Sequence, residues 1–144
     1  VLMISKKFKI QTICVGNIYI GGTGKTSLSI KINEILDRHN IKSCFIKKFY
    51  PDQKDEQKIL NNRGKLFLDS NRVDAVNQAI NENYEIAIFD DGLQDKSIEY
   101  DLSFVCFNEP ACFLEGCRYL GSNSFFSVLL SVDLFSFPLA LSED

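Results

Sequence analysis

The 144-residue chain is long enough for one domain with its own hydrophobic core and too short for two of ordinary size. Hydrophobic residues make up 45% and charged residues 24%, a globular composition that excludes disorder and fibrous repeats. The net charge of −3 excludes a bulk positive field able to hold nucleic acid or anionic lipid.

The Lys-rich first ten residues lack the long apolar core of a secretory signal, and a start at Val1 predicts a non-standard start, with Met3 the internal candidate, or a fragment. Lys9 to Gly16 is a short run rich in Ile and Val that stops at a glycine, as a buried parallel strand does. After a Gly-rich turn, Leu28, Ile32, Ile35 and Leu36 recur at helical spacing, which predicts an amphipathic helix over Thr26 to His39 with Asn40 as its end signal. A second strand follows at Ile41 to Ile46, a short helix at Asp55 to Asn61 and a third strand at Lys65 to Leu68. Val73 to Asn81 reads as a further helix, Glu85 to Phe89 as a strand ending on Asp90 and Asp91, and Asp101 to Phe107 as one more apolar strand. Strands alternating with helices at this rhythm predict an α/β fold, a mostly parallel sheet flanked by helices.

Beyond Asn108 the pattern changes. Of the 16 Lys and Arg, 15 lie in residues 1–107 and only Arg118 lies after them. Residues 125–141 show neither helical period nor strict alternation, and Asp133 and Pro138 interrupt them, so they make a poor membrane span. The expected organisation is an α/β lobe over 1–107 and an irregular apolar tail over 108–144. Cys14, Cys44, Cys106, Cys112 and Cys117 form an odd set with no CxxC pair, which fits core and surface thiols in a reducing cytosol and no zinc site. His39, the single histidine, is expected at the surface.

The strongest motif is GGTGKT, Gly21 to Thr26, between a predicted strand and a predicted helix. A phosphate-binding loop needs glycines so that the backbone approaches the phosphates and turns its amides inward. Lys25 would place an ammonium against the β- and γ-phosphates, Thr26 would offer its hydroxyl to Mg2+, and the helix would present its positive end. Tyr19 stands where the strict P-loop pattern has its first glycine. Asp90 and Asp91 end an apolar strand, where an acidic group that organises Mg2+ is expected, and ligands of open parallel sheets bind beyond the carboxyl ends of the strands. Asp55 and Glu56 have weaker intrinsic support, since a charged pair opening a helix is commonly a solvated first turn favoured by the dipole.

VGNIYIGGTGKTS, followed by DDGLQDKSIEYDL, resembles the signatures of the tetraacyldisaccharide 4'-kinase family, the lipid A 4'-kinases. That family's loop also lacks the first Walker glycine, and its second signature is DDGFQH continued by L-x-R-D-L. Here Leu93 stands for Phe, Asp95 for His, Ile98 for Leu and Tyr100 for Arg, while Asp101 and Leu102 match. Lys54-Asp55-Glu56-Gln57 resembles the family's G-D-E-P, and Lys47-Lys48-Phe49-Tyr50-Pro51 stands where the family has S-R-G-Y-G. The resemblance covers roughly residues 9–107. It implies a P-loop NTPase-like fold and transfer of the ATP γ-phosphate to the 4'-hydroxyl of lipid A disaccharide 1-phosphate, giving lipid IVA at the cytosolic face of a bacterial inner membrane.

By the same resemblance, Gly21, Gly22, Thr23, Gly24, Lys25, Thr26 and Ser27 bind ATP. Lys25 also serves catalysis, Thr26, Glu56, Asp90 and Asp91 serve the metal and phosphate region, and Asp55 is the base that accepts the sugar hydroxyl proton. The family's N-terminal hydrophobic helix, its C-terminal lobe with a catalytic histidine and its G-P-L-R-E-P segment have no counterpart here, so a truncated copy with a break near Asn108 is expected. Two rivals stand beside the kinase: a P-loop ATPase switch or adaptor without lipid substrate, and a non-catalytic remnant.

Overall fold

The computed structural model describes residues 5–17, 24–107, 118–123 and 126–132, with residues 107, 118–123 and 126–132 described by their backbone alone. The elements in order are β1 (Gln11–Asn17), α1 (Lys25–Arg38), β2 (Ser43–Lys48), α2 (Lys54–Arg63), β3 (Leu66–Asp69), α3 (Arg72–Asn81), β4 (Ile86–Asp90), β5 (Leu102–Phe107), β6 (Arg118–Asn123) and β7 (Phe126–Val132). They build one sheet in the order β3-β2-β4-β1-β5-β7-β6. The first five strands in that order are parallel, whereas β7 runs antiparallel to both β5 and β6.

Because side chains alternate across a strand, each central strand feeds two cores. On one face Ile13, Val15, Phe45, Ile86 and Ile88 pack with Ile32 and Leu36 of α1 and Leu60 of α2. On the other, Cys44, Ile46, Phe67, Ala87 and Phe89 pack with Ala75, Val76 and Ala79 of α3. All five residues of β4 are buried, the mark of a strand covered on both sides. The small side chains of Ala75 and Ala79 let α3 lie close on the sheet.

The helix boundaries follow local chemistry. Gly24 caps α1 at φ 78, a left-handed conformation that glycine adopts without steric cost. Asn40 and Asn83, at φ 58 and 59, take the same conformation just past α1 and α3, where asparagine is the usual substitute for glycine. The Asn71 side chain accepts from Val73 N and starts α3.

The eight elements expected before Asn108 are all present, with ends displaced by one or two residues. The segment expected to be irregular differs: 118–123 and 126–132 are strands that extend the sheet from β5. An apolar run such as 126–132, which lacks strict alternation, cannot be assigned as a strand by periodicity alone. The rest of 108–144 lies outside the described residues, as do Cys112 and Cys117. Among the described residues, no helix is long and apolar enough to cross a membrane.

Candidate phosphate-binding site

β1 and β4 lie side by side in parallel register, with Val15 opposite Asp90, so the loop after β1 and the acidic pair after β4 emerge at the same edge of the sheet. Gly21, Gly22 and Thr23 lie outside the described residues. From Gly24 onward the loop enters α1, with Leu28 N donating to Gly24 O at 2.9 Å. The first turn of α1 holds no acidic residue, so its positive end is uncompensated and suited to phosphate. Lys25 and Thr26 there are half-buried and Ser27 is exposed.

Lys25 Nζ lies 3.1 Å from Asp91 Oδ1 and 3.2 Å from Asn17 Oδ1. The two motifs that the sequence separates by 66 positions therefore meet through a direct ion pair. Asp91 reaches Lys25 because it leaves the strand at φ 64, and its N–H donates to Val15 O at 2.8 Å. Its neighbour Asp90 is still in the strand and points instead into the layer beneath α1 and α2. There Oδ1 accepts from Ser29 Oγ at 3.2 Å and Oδ2 accepts from Lys47 Nζ at 2.8 Å.

Lys47 also donates to Glu56 Oε2 at 3.0 Å, which brings the first turn of α2 to this edge of the sheet. Burial pulls the Lys47 ammonium toward losing its proton, but Asp90 and then Glu56 outweigh it and hold the pKa above the ordinary lysine value. Asp55 opens the same turn and is exposed. Thus two ion-paired groups leave the end of β4, Lys25 with Asp91 and Glu56 with Asp90 through Lys47, and Asp55 precedes Glu56 on the first turn of α2.

The residues missed by sequence reasoning are Lys47, Ser29, Asn17 and Arg72. Lys47 carries a readable signal, since it continues the phase of Phe45 onto the buried face of β2. Arg72 donates to Asp91 O at 2.8 Å and to Asp95 Oδ2 at 3.2 Å, pinning the turn after β4 from the α3 side. Burial raises the Asp95 carboxyl, but bonds from Ser97 and then Arg72 leave it below the ordinary aspartate value. Gly92 is required by close approach: a Cβ there would lie 2.7 Å from the Tyr100 hydroxyl, which donates to Gly92 O.

Asp101, matched in the second signature, lies away from these groups. Its Oδ2 accepts from Thr12 N and Thr12 Oγ1, and its own N–H donates back to Thr12, so it locks the start of β5 to β1. His39 is exposed, as expected. Cys14, Cys44 and Cys106 are buried free thiols, and the described residues hold no group of three or more His, Cys, Asp or Glu placed to hold a metal.

The family model for tetraacyldisaccharide-1-P 4'-kinase matches residues 1–118. A tetraacyldisaccharide 4'-kinase of Pelagibacter ubique (strain HTCC1062) is 69% identical over 100 residues, 69% of this chain and 32% of that protein. That of Shewanella piezotolerans (strain WP3 / JCM 13877) is 30% identical over 134 residues, 80% of this chain and 38% of that protein. The chain therefore spans about a third of the length of these relatives. Among solved structures, LpxK from Aquifex aeolicus in complex with ATP shares the fold, with a TM-score of 0.59 at 22% identity over 69% of this chain and 38% of that one. With its family model matched over residues 1–118, the chain belongs to the tetraacyldisaccharide 4'-kinase family.

Proposed function

We propose that this chain forms the nucleotide-binding part of a kinase that transfers the γ-phosphate of ATP to the 4'-hydroxyl of a lipid A disaccharide 1-phosphate, at the cytosolic face of a bacterial inner membrane. The observation that carries the reading is the Lys25–Asp91 pair, which joins the phosphate loop to the acidic pair beyond the ends of β1 and β4. In an open parallel sheet that is where a ligand binds.

The residues divide the work of phosphoryl transfer, in which positioning and charge stabilisation carry most of the catalysis. Gly21, Gly22, Thr23, Gly24 and Ser27, with the positive N-terminus of α1, serve phosphate binding. Lys25 turns from Asp91 to the γ-phosphate and steadies the charge that develops there. Asp55, exposed on the first turn of α2, accepts the proton of the attacking hydroxyl.

Mg2+ is commonly held by one or two carboxylates together with substrate phosphates. Asp91, 36% exposed at its side chain, and the Thr26 hydroxyl fit that requirement, while Asp90 and Glu56 hold Lys47. When bound, the ion neutralises charge on the transferring phosphates.

The purified chain incubated with Mg-ATP and lipid A disaccharide 1-phosphate should give a 4'-phosphorylated product that Asp55→Ala abolishes. ATP hydrolysis without transfer would favour a nucleotide switch, and ATP binding without turnover a non-catalytic lobe.

A further inference from the structure

Lys47, next to last in β2, lies on the face covered by α1 and α2, and its side chain is only 1% exposed. Its ammonium stands between two carboxylates, 2.8 Å from Asp90 Oδ2 and 3.0 Å from Glu56 Oε2. The second oxygen of Asp90 is engaged by Ser29 Oγ, and the Asp90 side chain is itself 1% exposed. A divalent ion such as Mg2+ needs carboxylate oxygens at about 2.0–2.1 Å and keeps several of its waters. Between Glu56 and Asp90 that room is filled by the ammonium, and the Asp90 side is closed to solvent. Asp91 is open by comparison, and its partner Lys25 is free to follow an arriving phosphate.

Resting on the kinase reading above, we infer that Lys47 is the resident cation of the Glu56–Asp90 pair, leaving a divalent ion to Asp91 and Thr26. Lys47 is in this sense a positioning residue. It joins the last residue of β4 to the turn of α2 that carries Asp55.

Titration of the nucleotide-free chain with Mn2+, followed by the EPR signal of the free ion, tests this independently of phosphate transfer. The unchanged chain and Lys47→Arg, which keep the cation, should agree in Mn2+ affinity within about twofold. Lys47→Met, which removes the charge at similar length, should bind Mn2+ at least about tenfold more tightly, and adding Asp90→Asn should abolish that gain. If Lys47→Met is unfolded by circular dichroism, added Mn2+ should restore its folded spectrum by replacing the ammonium. Equal Mn2+ affinity in the unchanged chain and Lys47→Met, or no restoration of an unfolded variant, would overturn the inference. Absence of ATP binding or of phosphorylated lipid would instead sink the kinase reading and leave these Mn2+ results to stand alone.

Discussion

Two adjacent carboxylates, Asp90 and Asp91, do different work because the backbone changes hand between them. Asp90 keeps strand geometry and faces the covered side of the sheet, while Asp91 at φ 64 turns to Lys25. Asp101 shows the opposite case, a residue in the same signature whose chemistry is structural. Its carboxylate accepts from both the N–H and hydroxyl of buried Thr12. Asp101→Ala removes those acceptors and should lower stability by about 1.5–3 kcal/mol, the usual worth of hydrogen bonds to a charged group. Urea denaturation measures the loss, and ATP affinity should stay within about twofold. A tenfold fall in ATP affinity with unchanged stability would move Asp101 into the binding site. The meeting of Lys25 with Asp91 was legible because ligands of an open parallel sheet bind beyond the strand ends, where the sequence places both motifs. Lys47 was only half legible: its phase with Phe45 puts it on the buried face of β2, but that it pairs with Asp90 and Glu56, 43 and 9 positions away, is a fact of the fold.

At the scale of elements, α2 depends on few anchors. Of its ten residues, Gln57 and Leu60 are buried, and the Lys47–Glu56 bond ties down its first turn. Leu60 is fully enclosed between α1 and the sheet. Leu60→Ala should cost about 2–5 kcal/mol through lost burial and the cavity left behind. Hydrogen exchange should rise in α2 before it rises in β1 or β4, since α2 is held by fewer contacts. On the proposed kinase reading, phosphate transfer should then fall more than ATP binding, because α2 carries the proposed base Asp55 while Lys25 and Thr26 begin α1. Uniform acceleration of exchange across the sheet would show instead that α2 does not open separately. Helices and strands before Asn108 were legible because their apolar periods are strong. The strands after it were not, because 118–123 is of mixed composition, 126–132 lacks strict alternation, and the pairing of β7 with β5 is a long-range fact.

For the molecule as a whole, burial of the sheet on both faces has a consequence in pH. Cys14, Cys44 and Cys106 sit on β1, β2 and β5, each 0% exposed. Burial pushes the Cys14 and Cys44 thiols from 9.0 up to about 12 and that of Cys106 to about 11. The Tyr84 and Tyr100 phenols are raised from 10.0 by the same cause. A thiol of the unfolded chain releases its proton near pH 9.0, whereas the folded chain holds it until about 11 or 12. Between those limits the folded state binds more protons, so stability is whole below pH 9.0 and falls as pH rises. Each thiol contributes a slope of about 1.4 kcal/mol per pH unit, and the phenols add in the same direction. Urea midpoints taken from about pH 8 to about pH 11 should therefore decline, and replacing the three cysteines with alanine should flatten the decline. The same thiols should resist a disulfide reagent in the folded chain and react together on unfolding, since they belong to one sheet. A midpoint that stays level through this range, or a cysteine among the three that reacts before the rest, would mean that part of the sheet opens to water on its own.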